Sequence, residues 1–273
     1  MTGEVRAGAA WLRLREPADA AARSAELVDE VRPHLPTSGG LAVHDLGCGT
    51  GSMARWLAGQ LTGPQRWVLY DRDAELLVFA AESPPPAASD GAPVAVETRR
   101  RNLTRLEPPE LAGAHLVTAS ALLDMMTAEE LDRLVATCAR AGCPVLIALS
   151  VTGRVELTPP DPLDEVVTEA FNAHQRRTTG GRRLLGPDAV GAAVDGFTRR
   201  GRDVVTRPSP WRLGSGQATL AAAWFTGWAA AACEQRPSLR DATTDYTQRR
   251  RADLAAGRLR VTVHHEDLLV RPR

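Results

Sequence analysis

The segment of this chain best suited to chemistry is Asp45-Leu46-Gly47-Cys48-Gly49-Thr50-Gly51, an acid at the end of an apolar run followed by glycines at alternate positions. Glycines spaced in this way admit positive φ and let the backbone approach a ligand closely. A nicotinamide or flavin fingerprint would need its third glycine one residue later, where Ser52 stands, so a dinucleotide is excluded. All 33 basic residues are arginines, which excludes Schiff-base catalysis and the phosphate-binding lysine of nucleotide hydrolases. Cys48, Cys138, Cys143 and Cys233 form no CxxC pair and no metal-ligand spacing with histidine, so they are expected as free thiols, with no metal.

The elements that must position the glycine turn follow from periodicity. Pro17 to Val31 has helical spacing, and Leu41 to Leu46 reads as a buried strand that feeds the glycines and a helix from Ser52 to Gln60. Strands are predicted at 66–70, 94–98, 115–119 and 144–150, with helices at 74–81 and 128–141 between them. Asp73 is placed to cap the first of these helices. Such alternation predicts an α/β fold, a Rossmann-like, doubly wound and mostly parallel sheet with helices on both faces. Beyond Ser150 the pattern turns mostly helical, at 163–177, 187–199, 217–234 and 239–256, with strands at 204–205 and 259–269. One domain is expected: a helical cap over 1–40, a core over 41–150, and substrate-side helices with the last strands over 151–273.

Acidic and basic residues balance at 33 each, which gives no electrostatic reason for a nucleic-acid partner. The most apolar stretch, Ala218 to Cys233, is shorter than the roughly 20 residues that span a bilayer. Met1-Thr2-Gly3-Glu4 opens without the basic and apolar regions of a secretory leader. The expected setting is cytoplasmic, the expected partner is a small-molecule substrate with no nucleic acid and no membrane, and a homodimer is compatible with this reading.

The acidic residue and alternate glycines resemble the first motif of the class I S-adenosylmethionine-dependent methyltransferases. Trp67-Val68-Leu69-Tyr70-Asp71 is similar to that family's second strand, whose terminal acid accepts hydrogen bonds from both ribose hydroxyls. Asn102 stands where the family usually has an aspartate beside the adenine amine, and an asparagine carbonyl still accepts that bond. The turn after the fourth strand, with Ala119 and Ser120, corresponds to the wall around the methionine part and the methyl group. The resemblance therefore implies S-adenosyl-L-methionine as cofactor, held by Asp45, Gly47, Gly49, Gly51, Asp71, Asn102, Ala119 and Ser120. It spans about Leu41 to Ser150, while Trp11 to Arg23 and Phe171 to Gln175 also resemble an actinobacterial-type subfamily of small-molecule methyltransferases.

Methyl transfer from a sulfonium is an in-line displacement that gains much from positioning. Where the acceptor carries a proton, a histidine titrating near neutrality is the natural base. His174 is the candidate, on the apolar face Val166, Val167, Ala170, Phe171; the competing reading is a packed core histidine. His264 and His265 point to opposite faces of one strand, and His44 and His115 lie away from the strand ends where ligands bind. Arg15 and Trp211 are the candidates for substrate binding. Arg15, Asp19 and Arg23 recur every four residues, as in a surface ion-pair ladder, and an arginine there could alternatively clamp a carboxylate. Trp224 and Trp228 share one helical face and read first as core. The expected activity is methyl transfer to oxygen or nitrogen of a small molecule. The alternatives are a non-catalytic S-adenosylmethionine-binding protein and a methyltransferase-fold enzyme with other chemistry.

Overall fold

The computed structural model describes residues 8–272; Met1–Glu4, read above for a leader, lie outside them. Two helices lead the chain, α1 (Ala9–Ala22) and α2 (Ala25–Val31). The sequence suggests one helix there, yet it breaks at Arg23-Ser24. Ser24 turns out of the first helix to cap the second through its hydroxyl, and its own N–H donates to the Asp267 carboxylate at 2.8 Å.

The core then alternates as expected: β1 (Leu41–Leu46), α3 (Ser52–Leu57), β2 (Gln65–Asp71), α4 (Ala74–Glu82), β3 (Val94–Arg100), β4 (Leu116–Ser120), α5 (Ala128–Ala141) and β5 (Val145–Thr158). Asp73 caps α4, its carboxylate accepting the Glu75 N–H. Thr127 and Glu130 form a reciprocal box that starts α5. After α6 (Leu163–Gln175) come a small hairpin of β6 (Thr178–Thr179) and β7 (Arg182–Arg183), then α7 (Ala189–Thr198), β8 (Val204–Pro208) and β9 (Trp211–Leu213). The chain closes with α8 (Ala218–Gln235), α9 (Arg240–Ala255) and β10 (Arg260–Val270).

The main sheet has the order β3-β2-β1-β4-β5-β10-β8, with β9 paired to β10. The first five strands are parallel, and β10 runs antiparallel to β5, β8 and β9. Strand order reverses between β1 and β4, which opens a crevice at their carboxyl ends. In register, Leu46 faces Tyr70 on one side and Ala119 on the other. Gly47, Asp71 and Ser120 therefore emerge side by side at one edge.

Two apolar cores cover the faces of this sheet. A third lies beyond its carboxyl edge, because β5 does not stop at Ser150 but continues to Thr158 against the first half of β10. Trp211, Trp224, Phe225, Trp228 and Tyr246 fill it, packed between α6, α8 and α9, with Trp11, Leu14 and Ala18 of α1 against its margin. Trp224 and Trp228 stack at 5.2 Å, as their spacing on one helical face suggests. Among the described residues no helix is long and apolar enough to cross a membrane.

Candidate active site

The glycine turn is built around Tyr70, whose carbonyl accepts the N–H groups of Gly47 and Cys48 at 2.8 and 2.9 Å. Gly47 has φ +71° and Gly49 φ +55°. A methyl group at Gly47 would come within 2.9 Å of Leu122 Cδ1, and one at Gly49 within 3.1 Å of Leu12 Cδ1. Both glycines thus let Leu122 and Leu12 pack directly against the turn, besides supplying its unusual backbone.

Two carboxylates flank the turn. Asp71 Oδ2 accepts the Gly49 N–H and its Oδ1 the Asp73 N–H, each at 2.9 Å. Both oxygens are fixed in direction yet retain acceptor capacity for a ligand. Asp45 is fully buried, and its Oδ1 accepts the Thr118 hydroxyl at 2.7 Å while Oδ2 has no partner. Burial pushes its pKa up to about 6, opposed by the Thr118 hydrogen bond and by the charge of Arg23.

Arg23 departs from the surface ladder that its spacing suggests. It is 5% exposed, and its Nη2 donates to Ser52 Oγ at 3.1 Å and to Ser120 Oγ at 3.2 Å. The guanidinium lies 5.4 Å from the centre of the Trp56 ring, and Nε has no partner. Burial lowers its pKa, while Asp19, Asp45 and Asp267 act in the other direction. A cation therefore stands directly behind two serines that face the crevice.

A cavity of about 560 Å³ extends from the glycine turn to the underside of α1. Asp45, Gly47, Gly49, Asp71, Asn102 and Ser120 line it, as do Trp11, Leu12 and Arg15 of α1. Among the described residues no group of three or more His, Cys, Asp or Glu side chains is placed to hold a metal ion.

Residues 43–144 match a family model described as a methyltransferase domain. The stretch from β1 to α5 therefore carries a methyltransferase domain. The cyclopropane synthase MmaA2 from Mycobacterium tuberculosis shares the fold at 12% identity and a TM-score of 0.50, over 97% of this chain and 94% of that one. The YcgJ protein from Bacillus subtilis does so at 12% identity and 0.51, over 92% of this chain and 100% of that one. Compared by sequence with curated proteins, the chain matches none.

Several expected site residues stand elsewhere in this structure. Gly51 precedes α3 with φ +86° and is not in the cavity wall, and Ala119 is buried in the sheet between Leu46 and Ile147. Trp211 is 3% exposed and also outside the wall; its Nε1 donates to Asp19 Oδ1 at 2.9 Å, and the Arg15 guanidinium lies 4.9 Å from its ring centre. It acts on the cavity only through Arg15 and Asp19. His174 does not reach the cavity, because its helix turns the apolar face on which it sits against α8. There Nε2 lies 3.2 Å from a Glu234 oxygen and Nδ1 2.9 Å from Arg177 Nη1, and burial holds its pKa below the usual histidine range. Asn102 lines the cavity, but its Oδ1 accepts the Thr104 N–H and hydroxyl at 3.1 and 3.0 Å. Its amide nitrogen is thus left as the group to offer a ligand.

Asp124 was not singled out by its sequence surroundings, Leu122-Leu123-Asp124-Met125-Met126. It sits on the short 3-10 turn Leu123–Met125 and lines the cavity. Burial pushes its pKa up to about 6, with the charge of Arg15 opposing. An acid in an otherwise apolar turn just after the fourth strand is the signal that could have found it.

Proposed function

We propose that this methyltransferase transfers the methyl group of S-adenosylmethionine to oxygen or nitrogen of a small molecule bound beneath α1. The observation that carries the reading is the cavity, whose size falls within the roughly 300–1,000 Å³ of small-ligand sites and whose wall also includes the apolar side chains of Trp11, Leu12, Met125, Met126 and Leu184.

The residues present fit the cofactor. The unpartnered, buried Asp45 Oδ2 offers an acceptor for an ammonium, and Gly47 and Gly49, both in the cavity wall, present bare backbone to it. Asp71 would hold the ribose hydroxyls, Asn102 the adenine edge, and Ser120 and Ser52, with Arg23 behind them, the methionine carboxylate. The bound cofactor supplies an electrophilic methyl group on a positively charged sulfur. The α1 helix and the turn at 121–126 orient the acceptor against it and exclude water.

The test uses S-adenosylmethionine labelled in its methyl group, with the purified protein and separate small-molecule, RNA and protein fractions. Label transferred to a low-mass compound at oxygen or nitrogen is expected. Label in RNA or protein would overturn the small-molecule reading, and tight binding without S-adenosylhomocysteine production would favour a non-catalytic role.

A further inference from the structure

We propose that Asp124 is the catalytic base of this methyltransferase and that the acceptor is a hydroxyl or N–H compound that enters carrying the proton Asp124 removes. This deepens the proposed function and rests on it.

The backbone delivers Asp124 to the cavity by a sharp turn. Ala121 has φ +50°, with its N–H held by the Ala148 carbonyl at 2.9 Å. Left-handed backbone at a residue other than glycine costs about 1–3 kcal/mol and persists where surrounding structure enforces it, often at functional sites. The following residues cross the end of β4, so Leu122 meets the glycine turn while Asp124 faces the space under α1.

Three arginines on that wall are compensated. Arg15 is paired with Asp19 at 2.9 Å, Arg101 with Glu110 at 2.7 Å and Arg182 with Glu130 at 2.6 Å. Asp124 has neither a side-chain hydrogen-bond partner nor an ion pair among the described residues, and its sequence neighbours are Leu123 and Met125. Asp124 is half-buried in the cavity wall, with its own backbone N–H as the hydrogen bond that favours its charged form, and a carboxylate of raised pKa in a cleft is where catalytic acids and bases are found. With its pKa at about 6, Asp124 is ionised at neutral pH and more basic than an ordinary aspartate.

No histidine lines the cavity among the described residues. His174 is turned to Glu234, and His265 is packed 5.4 Å from Trp211 with its pKa driven down to about 3 by burial. Asp45 is held by Thr118 behind the glycine turn.

In the step, Asp124 accepts the proton of the acceptor's O–H or N–H at a carboxylate oxygen. The acceptor's lone pair forms the new bond to the methyl carbon, and the broken carbon–sulfur pair stays on sulfur. One positive and one negative charge are lost together, leaving a protonated Asp124, a neutral thioether and the methylated product. Asp124 then releases its proton to water once the product leaves.

The test compares binding of two ligands by calorimetry at neutral pH. S-adenosylhomocysteine has a neutral sulfur, whereas sinefungin carries a protonated amine where the methyl group would be. For the wild type, sinefungin should bind more tightly; Asp124→Asn should weaken sinefungin by about 10-fold or more, the scale of a charged hydrogen bond, and leave S-adenosylhomocysteine nearly unchanged. An unaltered preference for sinefungin, or equal losses for both ligands, would overturn the proposal. A wild type that binds neither would instead remove the cofactor reading beneath it. With the acceptor from the labelled-methyl experiment, Asp124→Asn should lower kcat by roughly 10²–10⁴-fold at unchanged KM for S-adenosylmethionine. A wild-type kcat would also overturn it.

Discussion

Replacing Asp71 with alanine is the sharpest probe of the cofactor end, because this carboxylate has two separable duties. Its oxygens accept the Gly49 and Asp73 N–H groups, each at 2.9 Å, and each oxygen keeps a lone pair for one ribose hydroxyl. Loss of a hydrogen bond to a charged group costs about 1.5–3 kcal/mol, so Asp71→Ala should raise the Kd of S-adenosylhomocysteine by roughly 10- to 150-fold. Loss of the internal bonds frees the glycine turn, a cost of about 0.5–1.5 kcal/mol each that appears as a lower Tm without ligand. The two duties separate by chemistry: calorimetry with S-adenosylhomocysteine and with its 2′,3′-dideoxy analogue should show a large penalty only for the ligand that has the hydroxyls. Equal affinity for S-adenosylhomocysteine in wild type and a folded Asp71→Ala protein would refute the ribose assignment. Equal penalties for both ligands would assign Asp71 to the turn alone.

Arg23→Met should weaken S-adenosylhomocysteine by about 10-fold or more while sparing 5′-methylthioadenosine, which lacks the amino-acid part; parallel losses in calorimetry would mean that Arg23 only packs. Asp45 has a folded pKa of about 6 against an ordinary 3.8, so its contribution to stability is present below about pH 4 and lost as pH rises through 6. Asp45→Asn, which can still accept from Thr118, should therefore raise the ligand-free stability at neutral pH, by on the order of 2–3 kcal/mol and with a higher Tm, and have little effect at pH 4; a pH-independent Tm difference would contradict this. His174→Ala should cost about 1–3 kcal/mol of stability, a Tm loss of several degrees, and leave S-adenosylhomocysteine affinity within about twofold of wild type. Reduced affinity at unchanged Tm would return His174 to the site.

The placing of the glycine turn and its two carboxylates at one sheet edge was legible in the sequence because these parts are contiguous and positional. Asp45, Gly47 and Gly49 leave one strand, and Asp71 ends the next, so strand periodicity alone brings them to one edge. The acceptor end was not legible, since it is assembled from α1, the turn after β4 and the segment after α6. His174 shows why: a histidine on an apolar helical face is equally suited to a pocket and to a helix interface, and only the packing of α6 on α8 decides between them. Arg23 shows the converse. Its four-residue spacing from Asp19 is the pattern of an exposed ladder, yet Asp19 and Arg23 are 4% and 5% exposed, because the third core and the extension of β5 and β10 rise past the sheet to meet α1. Nothing local in the sequence announces that extension: the apolar run ends at Ser150, and the strand continues through alternating polar residues.

Those buried polar groups explain how the roof is tied to the floor. Asp267, on β10, accepts the Leu149 N–H at 2.7 Å and the Ser24 N–H at 2.8 Å, so one carboxylate fixes both the bend of β5 and the break between α1 and α2. From that break Arg23 reaches the serines at the methionine end, and one and two turns earlier Asp19 and Arg15 meet Trp211 on β9. The helix that roofs the cavity is thus anchored through charges beside the glycine turn, and each of those charges sits in a region where an unpaired ion is costly. A ligand carboxylate near Arg23 and an ammonium near Asp45 Oδ2 would complete the set.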